Sequence, residues 1–161
     1  MFDVVVVGAG ITGLSTAYYL SEEGIGNIAV FEANYVGYGS TGRCAGGIRA
    51  SFASRVHANV MKEAVKGWIR WRDSIPGMEF KQSGYLWLIT REEDLVAFKK
   101  LESMLNSLGI PAKLIDRDRV KELVWFIELN DVVAAMYDPM AGKSLPYSCL
   151  LYTSPSPRDR G

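Results

Sequence analysis

A glycine-rich turn between four consecutive valines and a helical stretch constrains the fold more than any other feature of this sequence. The opening segment reads DVVVVGAGITGLSTAYYLSEEG, in which Val4–Val7 predict a buried strand. The residues after Gly13 predict a helix that ends at Gly24. The segment NIAVFE predicts a second strand ending at Glu32. Strand, helix and strand in this order predict a βαβ unit, and the expected fold class is α/β.

The spacing of three glycines in this turn is that of a dinucleotide-binding site. Gly8 permits the tight turn, Gly10 lets a pyrophosphate approach the backbone, and Gly13 lets helix and strand pack closely. The start of the helix offers amides and the positive end of its dipole to the phosphates. Glu32 can accept both ribose hydroxyls and would repel a 2′-phosphate, which disfavours NADP. The sequence therefore predicts a Rossmann-like dinucleotide-binding unit.

The segment GSTGRCAGGIRASF, residues 39–52, distinguishes this chain from a simple NAD-binding fold. It is too rich in glycine for a stable helix and too irregular for a strand. In a simple NAD-binding fold the chain would soon return as another crossover helix, whereas here it enters this segment. Ser40 and Thr41 are placed to donate hydroxyls to the pyrophosphate, and residues 45–47 lack the bulk to hold off a flat ring. We expect this segment to cover the cofactor.

Four motifs together resemble the FAD-dependent amine and amino-acid oxidoreductases of the D-amino-acid oxidase superfamily. They are VVVVGAGITGLSTAYYL, FEANYVGYGSTGRCAGGIRASF, KQSGYLWLI and GIPAKLIDRDRVKEL. In particular, the chain resembles sarcosine oxidase beta-type subunits and the beta subunit of archaeal dye-linked L-proline dehydrogenase. The resemblance implies oxidation of the C–N bond of an amino acid, a secondary amine such as proline or sarcosine, by hydride transfer to flavin. A D-amino-acid dehydrogenase or oxidase, and a non-catalytic FAD-binding subunit of a multi-subunit complex, stay open as alternatives.

The same resemblance assigns roles to individual residues. It places Arg49 on the substrate carboxylate, a task that suits a guanidinium because it stays charged and forms two parallel bonds. The alternative is that Arg49 pairs with a phosphate or with an acidic side chain of the scaffold. Cys44 is either a redox-active or flavin-linked residue or a small packing residue, and the loop holds no histidine for a covalent flavin link. The predicted cofactor-binding residues are Gly8, Gly10, Ile11, Thr12, Gly13, Glu32, Ala33, Ser40, Thr41, Arg43, Ala45, Gly46 and Gly47.

The rest of the chain predicts a scaffold that begins an inserted α+β substrate domain. A helix after Ser54 is expected to bury a stripe of Val56, Val60, Ala64 and Trp68. Thr90 and Glu93 form a capping-box pattern before the next helix, and Asp116 is the expected cap of a short helix. The only histidine, His57, is either catalytic or a surface residue near the first of these helix starts.

The sequence also predicts where the native chain ends and how it divides. The string CLLYTSPSPRD, residues 149–159, reads as the translation of a transposon-type sequencing adapter. The expected parts are 1–75 of the FAD-binding domain, 76–138 of the substrate domain, 139–148 as the last native residues, and 149–161 as a non-native tail. We therefore expect a truncated protein that is inactive by itself.

Composition limits the partners. The formal net charge is zero, with 48% hydrophobic and 22% charged residues, which is typical of a globular protein. Nucleic acids and anionic membranes usually require a basic excess, and no apolar run is long enough for a membrane span. No metal-ligand cluster is apparent. The expected partners are a small amino-acid substrate and a companion subunit or electron carrier, in the cytoplasm.

Overall fold

The computed structural model describes residues 1–145, which divide into two compact units. Each unit is assembled from separate stretches of the chain. The predicted division into 1–75, 76–138, 139–148 and 149–161 stays a prediction. Assignment of the units to cofactor and substrate stays a prediction, and the proposed adapter sequence lies outside the described residues. Of the described residues, the first unit contains Met1–Gly47, Arg70–Phe80 and residues 144–145, and the second contains Ile48–Ile69 and Lys81–Lys143.

The first unit begins with the predicted βαβ arrangement. Strand β1 (Val4–Val7) is followed by helix α1 (Ile11–Glu22) and strand β2 (Ile28–Phe31), and the two strands pair in parallel. The register aligns Val4 with Ile28 and Val7 with Phe31. Gly24 ends the helix with a positive φ of 88°, and its amide donates to the Ser21 carbonyl. The prediction for this segment is confirmed.

One face of this two-stranded sheet is bare within the described residues. Val4 and Val6 are half-buried, but Val5 and Val7 are 53% and 87% exposed. Alternate side chains of a strand point to opposite faces, and α1 packs against both strands. The predicted burial of β1 therefore holds for only one of its faces.

The glycine-rich segment contains more regular structure than its composition suggests. Residues Ser40–Arg43 form a single helical turn, α2, and Gly47–Ile48 form a short strand, β3. The expectation that this segment would be neither helix nor strand is wrong at these two places. A hydrogen bond from the Gly42 amide to the carbonyl of Gly37, which precedes the turn, stabilises it.

The next helix, α3 (Arg55–Ser74), buries a partly different face from the predicted one. Val56 and Val60 are 71% and 61% exposed, whereas Ala58 and Val65 are fully buried. Ala64 and Trp68 of the predicted stripe are half-buried and Trp71 is buried, so the prediction fails in the first half of the helix and holds in part in the second. The Ser54 hydroxyl lies 3.5 Å from the His57 amide, as expected for a residue at the helix start.

The second unit is built around a three-stranded antiparallel sheet. Its strands are β5 (Tyr85–Ile89), β6 (Lys113–Asp116) and β7 (Ala134–Asp138), in the order β5-β7-β6. Helices α4 (Leu95–Ser107) and α5 (Arg117–Leu123) pack against it. Leu86 of β5 and Ile115 of β6 pack against a buried hydrophobic cluster, which consists of Val120, Leu129, Val132 and Ala135. The predicted mixture of strands and helices is confirmed here.

Two helix-start predictions in this unit have opposite outcomes. The Asp116 side chain accepts a hydrogen bond from the Arg119 amide at the start of α5, as predicted. The capping box of Thr90 and Glu93 is absent, because a 3₁₀ turn over Glu92–Asp94 precedes α4. Arg91 binds the Glu93 and Asp94 carboxylates instead, which removes Glu93 from the capping role.

A further small sheet joins β3 to strands β4 (Phe80–Lys81) and β8 (Gly142–Ser144), in the order β3-β8-β4. Gly84, with a positive φ of 79°, makes the turn between β4 and β5. Within residues 1–145, no helix combines the length and apolar character needed to cross a bilayer. The same residues contain no group of three or more acidic, histidine or cysteine side chains that could hold a metal ion.

Candidate cofactor and substrate sites

The glycine turn between β1 and α1 has the geometry that its spacing predicts. Gly8 has a φ of 101°, a conformation that residues with a Cβ rarely adopt. A Cβ added to Gly13 would lie 2.0 Å from the Gly8 carbonyl oxygen, so the helix approaches the strand as closely as a glycine permits. A Cβ on Gly10 would lie 3.1 Å from the Thr41 hydroxyl oxygen. The backbone is therefore bare where α1 begins.

Glu32 lies at the end of β2 and binds this turn directly. One carboxylate oxygen accepts the Ala9 amide at 2.9 Å, and the other accepts the Asn34 amide at 3.1 Å. The hydrogen bond from Ala9 is the largest cause of a lowered Glu32 pKa, and that from Asn34 adds to it. The residue is thus a carboxylate at neutral pH. Each oxygen can accept further bonds, as its predicted role on the ribose requires.

Thr41 brings the glycine-rich segment to the first turn of α1. Its hydroxyl oxygen accepts the Ile11 amide at 3.0 Å. The hydroxyl hydrogen is left for a second acceptor, so donation to a phosphate is compatible with this contact. Ser40, beside it, is exposed.

The other predicted cofactor residues of this segment lie in the first unit as well. Arg43 is exposed and its guanidinium carbon lies 5.0 Å above the Tyr38 ring. Gly46 is buried with a positive φ of 71°, and its carbonyl accepts the Ser144 amide at 3.0 Å. Ala45 and Gly47 are exposed. All the predicted cofactor-binding residues, from Gly8 to Gly47, fall within one compact unit.

Arg49 belongs to the second unit and is surrounded by aromatic rings. Its guanidinium carbon lies 4.8 Å from the Phe52 ring centre, 4.8 Å from that of Tyr85 and 4.4 Å from that of Trp87. Cation–π contacts of this length contribute about 0.5–2 kcal/mol each, more where water is excluded. We name the three rings with Arg49 the aromatic cluster. Sequence reasoning identified Arg49 and missed all three rings.

Within the described residues Arg49 has no acidic partner. None of the ion pairs formed by residues 1–145 includes it, and its Nε is buried without a hydrogen-bond acceptor. Asp138 faces Tyr85 across the strand pair, and one of its oxygens accepts the Met140 amide. The alternative that Arg49 pairs with a scaffold carboxylate therefore has no support in this part of the chain.

Two residues whose roles were open have ordinary surroundings. Cys44 is exposed, and its sulfur lies 3.1 Å from the Thr41 carbonyl oxygen. His57 is exposed near the start of α3, with its ring centre 6.5 Å from that of Phe52. Neither contact indicates a catalytic role.

This fold and these residues define a class of protein. The family model described as "FAD dependent oxidoreductase", DAO, matches residues 3–152. The chain belongs to this family of FAD-dependent oxidoreductases. The prediction of a D-amino-acid oxidase-like flavoprotein with a mixed α/β fold is confirmed.

Several proteins of known name are similar to the chain. The mitochondrial pyruvate dehydrogenase phosphatase regulatory subunit of Mus musculus is 32% identical over 85% of the chain, which covers 16% of that protein. The sarcosine oxidase beta subunit of Rhizobium meliloti (strain 1021) is 30% identical over 81% of the chain and 32% of that subunit. The chain thus spans a third or less of the length of these relatives.

Solved structures agree with this assignment. The L-proline dehydrogenase of P. horikoshii superposes with a TM-score of 0.89 and 35% identity, over 94% of the chain and 40% of that structure. Glycine oxidase from Bacillus cereus ATCC 14579 superposes with a TM-score of 0.71 at 16% identity, which is a likeness of fold alone. The chain is homologous to FAD-dependent amino-acid oxidases and dehydrogenases.

Proposed function

We propose that the protein oxidises the C–N bond of an amino acid, a secondary amine such as proline or sarcosine, with bound FAD as the electron acceptor. The observation that carries this proposal is the aromatic cluster, in which Arg49 keeps a charge that no acidic side chain of residues 1–145 neutralises. A cation of this kind suits a substrate carboxylate. Similarity to the Rhizobium subunit and the P. horikoshii enzyme supports the choice of a secondary amine.

The residues of the glycine turn fit FAD. The turn fits this role because Gly8 adopts a positive φ, Gly13 lets α1 pack closely on β1, and the start of α1 suits a pyrophosphate. Glu32 would hold the ribose through its carboxylate, and Thr41 would donate its hydroxyl to a phosphate oxygen. Bound FAD supplies a two-electron acceptor for amine oxidation. The contribution of these residues would be to bind and orient the cofactor.

The role proposed for Arg49 is to bind the substrate carboxylate and so fix the orientation of the amine. Two parallel hydrogen bonds from one guanidinium define both the position and the plane of a carboxylate. The Nε of the guanidinium is buried beside the rings of Trp87, Tyr85 and Phe52, so this donor is shielded from water. Binding in a site with little water strengthens a charge pair.

The test uses the uninterrupted protein, by which we mean the complete product of the gene that encodes this chain. Arg49→Ala should lower kcat/KM for amino-acid substrates by about thirtyfold or more while FAD stays bound, since loss of a paired charge costs about 2–5 kcal/mol. Arg49→Lys should recover only part of this loss, because a point charge cannot reproduce the planar fork. Amines without a carboxylate serve as the matched control and should lose little. Equal losses for both substrate classes would contradict the proposal.

A second candidate function is a non-catalytic FAD-binding subunit. The observation that favours it is the 32% identity to a mouse protein whose name is that of a regulatory subunit. Under this alternative, the purified uninterrupted protein would hold FAD that is not reduced by proline, sarcosine or any D-amino acid. Reduction of the bound flavin by one of these amines, followed from its absorbance, would exclude the alternative. A companion subunit or electron carrier is compatible with either function.

A further inference from the structure

The aromatic cluster replaces the acidic partner that a half-buried arginine usually has. We propose that Phe52, Tyr85 and Trp87 are positioning residues, which hold the Arg49 guanidinium by their rings and leave its hydrogen-bond donors to a ligand carboxylate. This inference rests on the proposed function of Arg49 as the carboxylate anchor. It adds the residues that hold the Arg49 side chain in position for this role.

The rings approach Arg49 from two separate stretches of the chain. Phe52 follows Arg49 by three residues, whereas Tyr85 and Trp87 lie on β5. The two β5 residues are separated by one position, so their side chains share one face of the sheet. Their ring centres are 5.5 Å apart. The long arginine side chain thus lies against rings contributed by β5 and by its own segment.

The choice of rings in place of a carboxylate has an electrostatic consequence. A ring face attracts a cation through its quadrupole but has no oxygen to accept the guanidinium hydrogens. An aspartate or glutamate at the same place would accept the hydrogen bonds that a substrate carboxylate needs. The rings can therefore fix the cation without competing with an anionic ligand.

The strongest alternative is that Asp138 is the true partner of Arg49. It is fully buried on the strand next to β5, opposite Tyr85, and its Oδ2 has no hydrogen-bond partner within residues 1–145. It forms no ion pair with Arg49 within 4.0 Å, however, and its Oδ1 accepts the Met140 amide. This contact at the end of β7 gives Asp138 a structural role in the turn to β8.

The experiment measures binding without turnover in the uninterrupted, FAD-loaded protein. The probes are cyclopentanecarboxylate, which is proline with its nitrogen replaced by carbon, and the neutral cyclopentanecarboxamide. Trp87→Leu removes the aromatic ring, whereas Trp87→Phe keeps a smaller aromatic ring and removes the pyrrole part of the indole with its N–H, which is buried and has no acceptor in the described residues. We expect Trp87→Leu to raise the Kd of the carboxylate about tenfold, a loss within the range of one cation–π contact. Trp87→Phe should change that Kd by less than about twofold, and neither variant should change the Kd of the carboxamide.

Further variants separate this inference from the proposed function. If Arg49→Ala fails to weaken carboxylate binding, the anchor itself is wrong. If Arg49→Ala weakens it and Trp87→Leu does not, only the role of the rings is wrong. Asp138→Asn keeps the oxygen that accepts the Met140 amide and removes the charge, and it should leave the carboxylate Kd unchanged. A tenfold change in Asp138→Asn would overturn the inference in favour of an acidic partner.

A second ring provides an independent check should Trp87→Leu fail to fold. Phe52→Leu should also raise the Kd of the carboxylate, whereas Phe52→Tyr, which keeps the ring, should leave it unchanged. Flavin content and melting temperature show whether each variant is folded. The inference is overturned if a folded variant without one of these rings binds the carboxylate as tightly as the unmodified protein. It is also overturned if the Kd of the carboxamide rises by the same factor as that of the carboxylate.

Discussion

The hydroxyl oxygen of Thr41 accepts a hydrogen bond of 3.0 Å from the backbone amide of Ile11, thirty residues earlier in the chain. This bond ties α2 to the first turn of α1. It also satisfies one of the amides that a helix leaves without a partner at its start. The same hydroxyl lies where a Cβ on Gly10 would approach it to 3.1 Å. Thr41 therefore organises the turn that is proposed to receive the pyrophosphate.

Thr41→Val should lower the free energy of unfolding of the uninterrupted protein by about 1 kcal/mol, because the Ile11 amide loses its acceptor. Valine has nearly the same shape, so packing is largely preserved. Thr41→Ser, which retains the hydroxyl, is the control and should be close to the unmodified protein. Urea unfolding of the apoprotein measures the difference. Equal stability of the valine and serine variants would show that the bond contributes nothing.

Gly13→Ala should destabilise the protein by roughly 1–3 kcal/mol, the usual cost of overpacking. Its Cβ would meet the Gly8 carbonyl at 2.0 Å, and backbone cannot rotate aside as a side chain can. Gly26→Ala is the matched control, since a Cβ there meets nothing within 4 Å. Thermal unfolding and retained flavin should both fall in Gly13→Ala and not in Gly26→Ala. A Gly13→Ala protein with unchanged melting temperature would contradict the close packing of α1 on β1.

Removal of Glu32 should reduce the retention of FAD. Glu32→Gln lacks the charge that strengthens hydrogen bonds to the ribose, and we expect the Kd of FAD to rise about tenfold. The catalytic rate of those molecules that still hold FAD should change little. Flavin content after gel filtration and titration of the apoprotein with FAD provide the measurements. A variant with normal flavin content and no catalysis would remove Glu32 from the ribose role.

Glu32 should also contribute to the pH dependence of stability. Because its pKa is lowered in the folded protein, above all by the Ala9 amide, the ionised form is favoured by folding. This contribution is complete above the ordinary glutamate pKa of about 4.3 and is lost as the pH falls through the lower folded value. Between about pH 5.5 and pH 3, the melting temperature of the unmodified apoprotein should therefore fall more than that of Glu32→Gln. Parallel pH profiles for the two proteins would count against this assignment.

The bare face of the β1–β2 sheet predicts that the 161-residue chain associates with itself when it is expressed alone. Val5, Val7 and Phe31 share this face and are 53%, 87% and 56% exposed. Apolar surfaces of this kind aggregate unless they are covered. Light scattering should show larger species for the unmodified chain than for Val7→Thr, and neither should purify with stoichiometric flavin. A monomeric chain that purifies yellow would contradict both expectations.

The βαβ unit could be predicted from the sequence because its determinants are local. Gly8, Gly10 and Gly13 act through backbone geometry within six residues, and Gly24 ends the helix by its own positive φ. Glu32 could be identified in the same way, from its position at the end of the second strand of this motif. The order of these elements could be predicted without knowledge of distant contacts.

The wrong or missing predictions concern features that depend on contacts between residues outside the local motif. Helix α3 offers two apolar faces, and the sequence alone does not show which one is buried, so Val56 was wrongly expected inside and Ala58 was overlooked. The capping box at Thr90 failed because Arg91 competes for the Glu93 carboxylate. The rings around Arg49 were missed for the same reason, since β5 lies more than thirty residues further along the chain. The motif KQSGYLWLI contained Tyr85 and Trp87, and the segment GSTGRCAGGIRASF contained Phe52, but nothing in either indicated that these rings would contact Arg49.

The division of the chain between Gly47 and Ile48 places the proposed cofactor residues on one side and Arg49 with its rings on the other. Under the proposed function, changes to Phe52, Tyr85 or Trp87 should alter which molecules are accepted, and none of these residues is among those proposed to hold FAD. For protein engineering, this makes the three ring positions the natural targets of a small combinatorial library. Flavin colour in each colony would report intact folding, and substrate choice could be selected as a separate trait.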